Sequence, residues 1–181
     1  LSVAVNHEWP LYQMDVKNAF LHGDLEEEVY MQLPPGHPQA QNSGMACKLH
    51  KSIYGLKQSP RAWYAKLSSV LENFGFKRSH ADSSLFVRIG SVGKLVVLIY
   101  VDDIIITGDN IDEIHTLKHS LHQQFAIKDL GVLKYFLGIE LASPPKGLFL
   151  SQRKYVIDLL QEVKMMDCKP TRTPLDSKLK L

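Results

Sequence analysis

Residues 95–107, LVVLIYVDDIIIT, limit what this chain can fold into more than any other stretch. Two aliphatic runs flank one adjacent carboxylate pair, Asp102 and Asp103. Runs of this length and branching read as buried strands, here 95–100 and 104–107. An ionised carboxylate inside such a run is costly unless something positive meets it. A hairpin turn is one way out, since Asp is at home in turns. Yet tight two-residue hairpins favour Asn-Gly or Asp-Gly, and this corner has no glycine. A carboxylate pair held at a corner by rigid apolar strands suits a divalent metal. On this stretch alone the metal and turn readings both stay open.

The chain has 181 residues, enough for one domain or one with an appendage. Apolar residues make up 45% and charged residues 22%, the balance of a globular protein with a real core. No apolar run approaches the roughly 18 residues of a membrane span. The chain opens on Leu1 without a signal peptide, so the expectation is a piece of a longer polypeptide. Cys47 and Cys168 stand far apart. That excludes a disulfide framework and a Cys-x-x-Cys metal site, and fits a reducing compartment. A net charge of +2 does not announce a nucleic-acid binder. Its distribution says more: residues 29–71 hold no Asp or Glu but carry Lys48, Lys51, Lys57, Arg61 and Lys66. Such a stretch would suit phosphates, but for the basic residues alone a solvated charged face outweighs that reading.

Along the chain, residues 1–8 read as the end of a helix, broken at Trp9-Pro10. Residues 11–16 read as a strand, with Leu11, Gln13 and Asp15 on one face and Tyr12, Met14 and Val16 on the other. Residues 23–42 are acidic and then Pro- and Gly-rich, the pattern of a loop or loosely held hairpin. Residues 48–54 suit a short strand. Ser59 as N-cap and Pro60 behind it open a helix with Trp63, Leu67, Val70 and Phe74 in a stripe and Gly75 as C-terminal cap. Residues 84–89 form another strand. Gly108-Asp109-Asn110 leads into a helix with Ile111, Ile114, Leu117 and Leu121 inward. His115, His119 and His122 lie on its flank, where a solvated face outweighs a metal site. Residues 126–129 suit a short extended segment, and 135–141 a strand with Gly138 inside it. A turn at 144–147 leads to 148–150. Ser151 then caps a helix with Tyr155, Val156, Leu159, Leu160 and Val163 inward. The tail beyond Met166 is polar. The order suggests an α+β sheet with helices on one face.

Four motifs in this order resemble the reverse transcriptase of copia-type LTR retrotransposons. QMDVKNAFL at 13–21 is similar to polymerase motif A, YGLKQSPRAWY at 54–64 to motif B, and YVDD at 100–103 to motif C. YFLGIEL at 135–141 resembles the primer-grip hairpin, and VYMQLPPG and LSQRKY are further wording of this family. The resemblance implies a right-hand polymerase palm, an antiparallel sheet backed by helices, with partial fingers and the start of a thumb. Residues 1–22 and 54–150 would be palm, 23–53 fingers, and 151–181 the start of the thumb or connection. It implies an RNA-directed and DNA-directed DNA polymerase moving a nucleotide from a dNTP to a primer 3′-hydroxyl. Asp15, Asp102 and Asp103, with the Val16 backbone carbonyl, would hold two Mg²⁺ or Mn²⁺ ions, Asp103 being the most replaceable ligand. Phe20 would be a steric gate against a 2′-hydroxyl. Tyr54, Gly55 and Gln58 would line the nucleotide pocket. Lys128 would assist pyrophosphate departure, with Lys134 competing for that role. Tyr100, Lys57, Arg61, Gly138 and Glu140 would meet template or primer.

The implied partners are an RNA or DNA template with primer, dNTPs, and the rest of a Pol polyprotein (fingers, ribonuclease H, integrase), with no membrane. The implied location is cytoplasmic, within a virus-like particle of the parent element. Family members carry basic fingers residues upstream of this start, so the alternative expectation is a truncated, inactive fragment with at most weak nucleic-acid binding. Two other classes fare worse. A nucleotide cyclase would need a Gly-Gly-acidic turn, and an RNA-recognition module would need exposed aromatics on its strands.

Overall fold

In a computed structural model of the chain, residues 1–39, 44–142 and 147–171 are described. The chain divides into two compact units, Leu1–Leu133 and Lys134–Leu181. The tail beyond residue 171 and most of the turn at 144–147 lie outside the described residues.

The first unit runs α1 (Ser2–Asn6), β1 (Leu11–Val16), a 3₁₀ turn (Ala19–His22), β2 (Asp24–Gln32), β3 (Ala46–Lys51), α2 (Ser59–Asn73), β4 (Lys77–Arg78), β5 (Leu85–Ile89), β6 (Lys94–Tyr100), β7 (Asp103–Gly108), α3 (Ile111–Gln124) and β8 (Ile127–Val132). Six strands form one sheet in the order β4-β5-β6-β7-β1-β8, antiparallel at every pairing. Alternation puts Met14, Val16, Val97, Ile104 and Ile106 on one face, all essentially inaccessible. Trp63, Leu67 and Leu71 of α2 and Ile114, Leu117 and Leu121 of α3 join them in one core. Each such side chain contributes roughly 1.5–3 kcal/mol by leaving water.

The helix ends show why the stripes stop where they do. Gly75 has φ +83, and the amides of Gly75 and Phe76 bond back to Glu72 and Leu71 at 2.9 and 3.1 Å, a Schellman ending for α2. The start of α2 differs from expectation. Gln58 takes the cap position, and the buried Ser59 hydroxyl donates to the Ile53 carbonyl at 2.5 Å, satisfying itself across the preceding loop. Asn110 caps α3 by accepting from the Glu113 amide. Ile111 is not inward; it is exposed, and the buried face takes Lys118 instead. Lys118 reaches the Asp129 carboxylate at 2.6 Å and stands 4.4 Å from the Tyr12 ring centre, so its buried charge is met twice. Burial pushes Asp129 up, but Lys118 and the Gly131 amide outweigh it and hold its pKa below the ordinary value.

Of the two readings of residues 23–42, a loop or a loosely held hairpin, the hairpin is the one that forms, with β2 paired to β3. β2 and β3 form a separate ribbon, with Tyr30 opposite Lys48 and ion pairs Lys48–Glu28 and Lys51–Asp24. Neither face is buried as a whole, which is why periodicity does not reveal it.

The second unit contains β9 (Tyr135–Phe136), β10 (Ile139–Ala142), β11 (Phe149–Ser151) and α4 (Arg153–Glu162), its sheet ordered β11-β10-β9. Residues 135–141 are therefore a hairpin rather than one strand, turning at Leu137–Gly138. The Ser151 hydroxyl accepts from the Arg153 amide, but Ser151 belongs to β11 and Gln152 takes the cap position. Tyr155, Val156, Leu159 and Val163 are about half exposed, so the inward stripe expected of α4 is uncovered among the described residues. The molecule is a mixed α and β protein with antiparallel sheets and four α-helices among the described residues. None of these helices is long and apolar enough to cross a membrane.

Candidate active site

The corner between β6 and β7 is a two-residue hairpin. Tyr100 pairs with Asp103, leaving Val101 and Asp102 as the loop. The expectation that the missing glycine argues against a tight turn fails here. Val101 takes φ +55, the left-handed region where a β-branched residue is strained. Such a conformation costs on the order of 1–3 kcal/mol and persists only when its surroundings hold it. Two bonds do so. The Trp63 indole donates to the Val101 carbonyl at 2.6 Å, and the Val16 amide donates to the Asp102 carbonyl at 2.8 Å. The second bond fastens the end of β1 to the turn, which brings the chain at Asp15 beside the chain at Asp102.

Directly opposed residues in antiparallel strands share a face. Asp15 opposes Asp103 on one side and Lys128 on the other, and Asp103 opposes Tyr100. Lys128, Asp15, Asp103 and Tyr100 thus form a row across four strands, on the face away from Met14 and Val16. Lys128 and Tyr100 are exposed, the carboxylates partly so. Burial raises the Asp103 pKa most; a hydrogen bond from Gln13 Nε2 at 2.8 Å opposes this, and the charges of Asp102 and Asp15 push it further up. Carboxylates that repel one another at a strand end make a place where a cation is favoured.

Two carboxylates suffice for Mg²⁺, which commonly binds through one or two of them plus substrate phosphates. Asp15 and Asp102 fit that donor set, all hard oxygen, while one Asp103 oxygen is occupied by Gln13. Among the described residues no group of three His, Cys, Asp or Glu side chains is arranged to hold an ion by itself. That includes His115, His119 and His122: His115 lies near the Tyr12 ring, and His119 bonds Gln123.

Phe20 sits in the 3₁₀ turn that follows β1, entered through Asn18 at φ +51. Its ring meets Tyr54 at 4.7 Å between centres, and it also borders the core. Phe20, Trp63, Tyr64, Ser84, Ile99 and Val101 line a pocket of about 250 Å³. Gly55 has φ +93, and a Cβ there would meet nothing within 4 Å, so the turn and not crowding requires glycine. Gln58 is half-buried at the cap of α2, with Lys57 and Arg61 exposed on either side. Of the other basic residues, Lys48 pairs with Glu28, and Lys51 and Lys66 both pair with Asp24, whose pKa they hold below the ordinary value. Gly138 and Glu140 belong to the second unit. Gly138 turns the hairpin at φ +79, and Glu140 accepts from the Lys154 amide at 3.1 Å in the first turn of α4.

Two supporting residues escape a sequence reading: Gln13, which orients Asp103, and Trp63, which holds the turn. Each left a signal. Gln13 shares the strand face of Asp15, and a Trp on an apolar stripe carries an N–H that needs a partner once buried.

The family model described as reverse transcriptase (RNA-dependent DNA polymerase) matches residues 1–177. The whole chain is 47% identical to part of the retrovirus-related Pol polyprotein from transposon RE1 of Arabidopsis thaliana, and covers 12% of that protein. It is 41% identical to part of the corresponding polyprotein from transposon TNT 1-94 of Nicotiana tabacum, covering 14% of it. A putative transposon Ty5-1 protein of Saccharomyces cerevisiae is 31% identical over 90% of the chain, which covers 53% of that relative. The chain thus spans a small part of the length of the plant polyproteins it matches. Matched nearly end to end, and carrying its motif carboxylates at one corner of an antiparallel sheet, the chain belongs to the reverse transcriptase family of copia-type retrotransposon Pol polyproteins.

Proposed function

We propose that this chain is the catalytic segment of a retrotransposon's RNA-directed and DNA-directed DNA polymerase. The observation that carries the proposal is the meeting of β1 with the β6–β7 turn: Asp15 in register with Asp103, and the Val16 amide bonded to the Asp102 carbonyl. On this reading residues 1–22 and 54–150 are palm, 23–53 belong to the fingers, and 151–181 begin the thumb. Primer-template and dNTPs are the substrates. The remaining polyprotein, with its further fingers, ribonuclease H and integrase, is the partner, and the setting is a cytoplasmic virus-like particle.

The reaction joins the primer 3′-oxygen to the α-phosphorus of a dNTP, breaks the α–β phosphate bond and releases pyrophosphate. Two divalent cations, Mg²⁺ or Mn²⁺, would stabilise charge on the attacking and leaving oxygens when bound. Asp15 and Asp102, with the Val16 carbonyl, would hold them, and Asp103 stands beside as the most replaceable carboxylate. The Phe20 ring presents hydrocarbon to the sugar and would exclude a 2′-hydroxyl by clash. Tyr54, Gly55 and Gln58 border the base and sugar. Lys128, opposite Asp15, offers positive charge and a proton to the departing pyrophosphate, while Tyr100, Lys57, Arg61, Gly138 and Glu140 contact template or primer.

A second reading keeps the ancestry but not the activity: a segment inactive without more of the polyprotein. The share of the plant polyproteins that this chain covers, 12% and 14%, favours it. Primer extension decides. Extension by a Pol polypeptide carrying this chain, lost on Asp15→Asn with the fold retained, is expected. Equal extension by the Asn variant would contradict the carboxylate assignment, and a folded but inactive wild type would favour the second reading.

A further inference from the structure

We infer that Trp63 is a positioning residue for the reaction, its indole N–H holding the Val101–Asp102 turn in the conformation that carries Asp102. The inference rests on the polymerase reading of that turn and deepens it, by naming what keeps the turn in place.

Val101 is the weak point of the corner. Its left-handed φ is one that valine leaves when nothing opposes it. The Trp63 bond falls on the Val101 carbonyl, and so on the peptide plane that links Val101 to Asp102. Fixing that plane fixes the direction in which the Asp102 side chain departs from the backbone. A bond to any other carbonyl of β6 or β7 would steady a strand already held by its neighbours; this one steadies the residue that the ladder leaves out.

Trp63 can do this because it cannot move itself. It is 1% exposed, and its ring meets Phe125 edge-on at 5.1 Å and His22 at 5.7 Å. On the backbone side, a Cβ at Gly23 would come within 2.8 Å of the Trp63 nitrogen, so α2 is seated directly on the turn that follows Asp15. Trp63 therefore touches both carboxylate-bearing segments: the chain after β1 through its ring on His22 and its backbone against Gly23, and the β6–β7 corner through the indole. Phe or Leu would fill much of the same core space. Neither carries the N–H, and the N–H is the part that reaches the turn.

The test compares single-nucleotide addition by a Pol polypeptide carrying this chain with its Trp63→Phe and Trp63→Phe/Val101→Gly variants. Phe keeps most of the ring packing and removes the donor. Gly at 101 takes the left-handed φ without a Cβ penalty and lessens the need for the donor. Trp63→Phe should lower kcat about tenfold while the dNTP KM stays within about twofold. Adding Val101→Gly should return most of the lost kcat. A Trp63→Phe enzyme with unchanged kcat overturns the inference. So does a loss shared by kcat and KM that Val101→Gly leaves in place, because a packing role alone predicts that. A folded wild type that adds no nucleotide sinks the polymerase reading instead, and the turn is then judged by NMR. Trp63→Phe should displace the amide nitrogen resonance of Asp102, whose peptide group contains the accepting oxygen; an unmoved resonance overturns the proposed hold on the turn.

Discussion

The turns at Val101–Asp102 and at Leu137–Gly138 are both two-residue loops, closing Tyr100 on Asp103 and Phe136 on Ile139. Their backbones differ. At the second, Leu137 and Gly138 both take positive φ, +49 and +79, the pattern of a type I′ hairpin, with glycine at one of the two positions. At the first, the positive φ falls on a valine and no glycine is present. The first turn has an indole from α2 on its carbonyl and the end of β1 bonded to its next residue. Each turn thus places one bulky residue in the left-handed region, Leu137 in the second and Val101 in the first, and the β-branched valine is the one the surrounding fold is seen to hold. The valine turn is the one that carries the motif carboxylates. Strain held in place by a rigid core is a way to pre-organise such groups.

The largest expected difference between the hairpins is functional. Asp102→Asn should lower primer extension by about a thousandfold or more, while Glu140→Gln, the matching change beside the glycine turn, should cost about tenfold at most. Comparable losses would erase the distinction between a catalytic turn and a supporting one.

Exchanging the glycines tests the backbone argument. Gly138→Ala should weaken its hairpin by about 1–2 kcal/mol, since the added Cβ has room and only the left-handed φ opposes it. Val101→Gly should do the reverse on a smaller scale, raising stability by about 0.5 kcal/mol after the chain-entropy cost of glycine. Amide exchange at Phe136 and Ile139, and at Tyr100 and Asp103, reads the two turns separately.

Phe20 sharpens the picture of the pocket it shares with Val101. Phe20→Val should raise ribonucleotide use relative to deoxyribonucleotide use by about tenfold in kcat/KM, with deoxyribonucleotide use largely kept. If Phe20 is only a packing residue at the edge of the core, both should fall together with stability.

The smallest effect concerns Asp103. Burial raises its pKa, with Asp102 and Asp15 adding to the rise and Gln13 opposing it. The folded state therefore holds this proton more tightly than the unfolded state, and this group's own contribution to stability is lost as pH rises from about 3.9 through the folded pKa. Asp103→Asn removes that loss. Its Tm should match wild type near pH 3 and exceed it by about 1–2 °C at pH 7 without metal; a difference independent of pH would contradict this origin.

How much of this was legible in the sequence follows from where each residue gets its instructions. β1, β6, α2 and most of α3 could be read because one face is buried and the period shows, and β7 because its unbroken apolar run is buried on both faces. The β2–β3 ribbon could be read only as a loop or loosely held hairpin with a short strand after it, because it buries neither face as a whole and aligns partly through ion pairs. The tight corner could not, because Val101 carries no turn signal of its own and the restraint comes from Trp63, 38 residues away. α4 shows the limit of periodicity from the other side: its apolar stripe is real, yet Tyr155 and Leu159 remain exposed. Asp15, Asp102 and Asp103 were legible as motif residues, while their meeting depends on strand register, which only the assembled sheet supplies.

The central claim is that Asp15 and Asp102, joined through the β1 contact to the turn, hold the divalent ions of nucleotidyl transfer. Mn²⁺ binding measured by electron paramagnetic resonance tests it without turnover, using a Pol polypeptide carrying this chain with a chain-terminated primer-template and the next dNTP. The account predicts about two Mn²⁺ ions bound in the ternary complex of the wild type, with affinity falling sharply in both Asp15→Asn and Asp102→Asn. Mn²⁺ binding unchanged in both variants would contradict it.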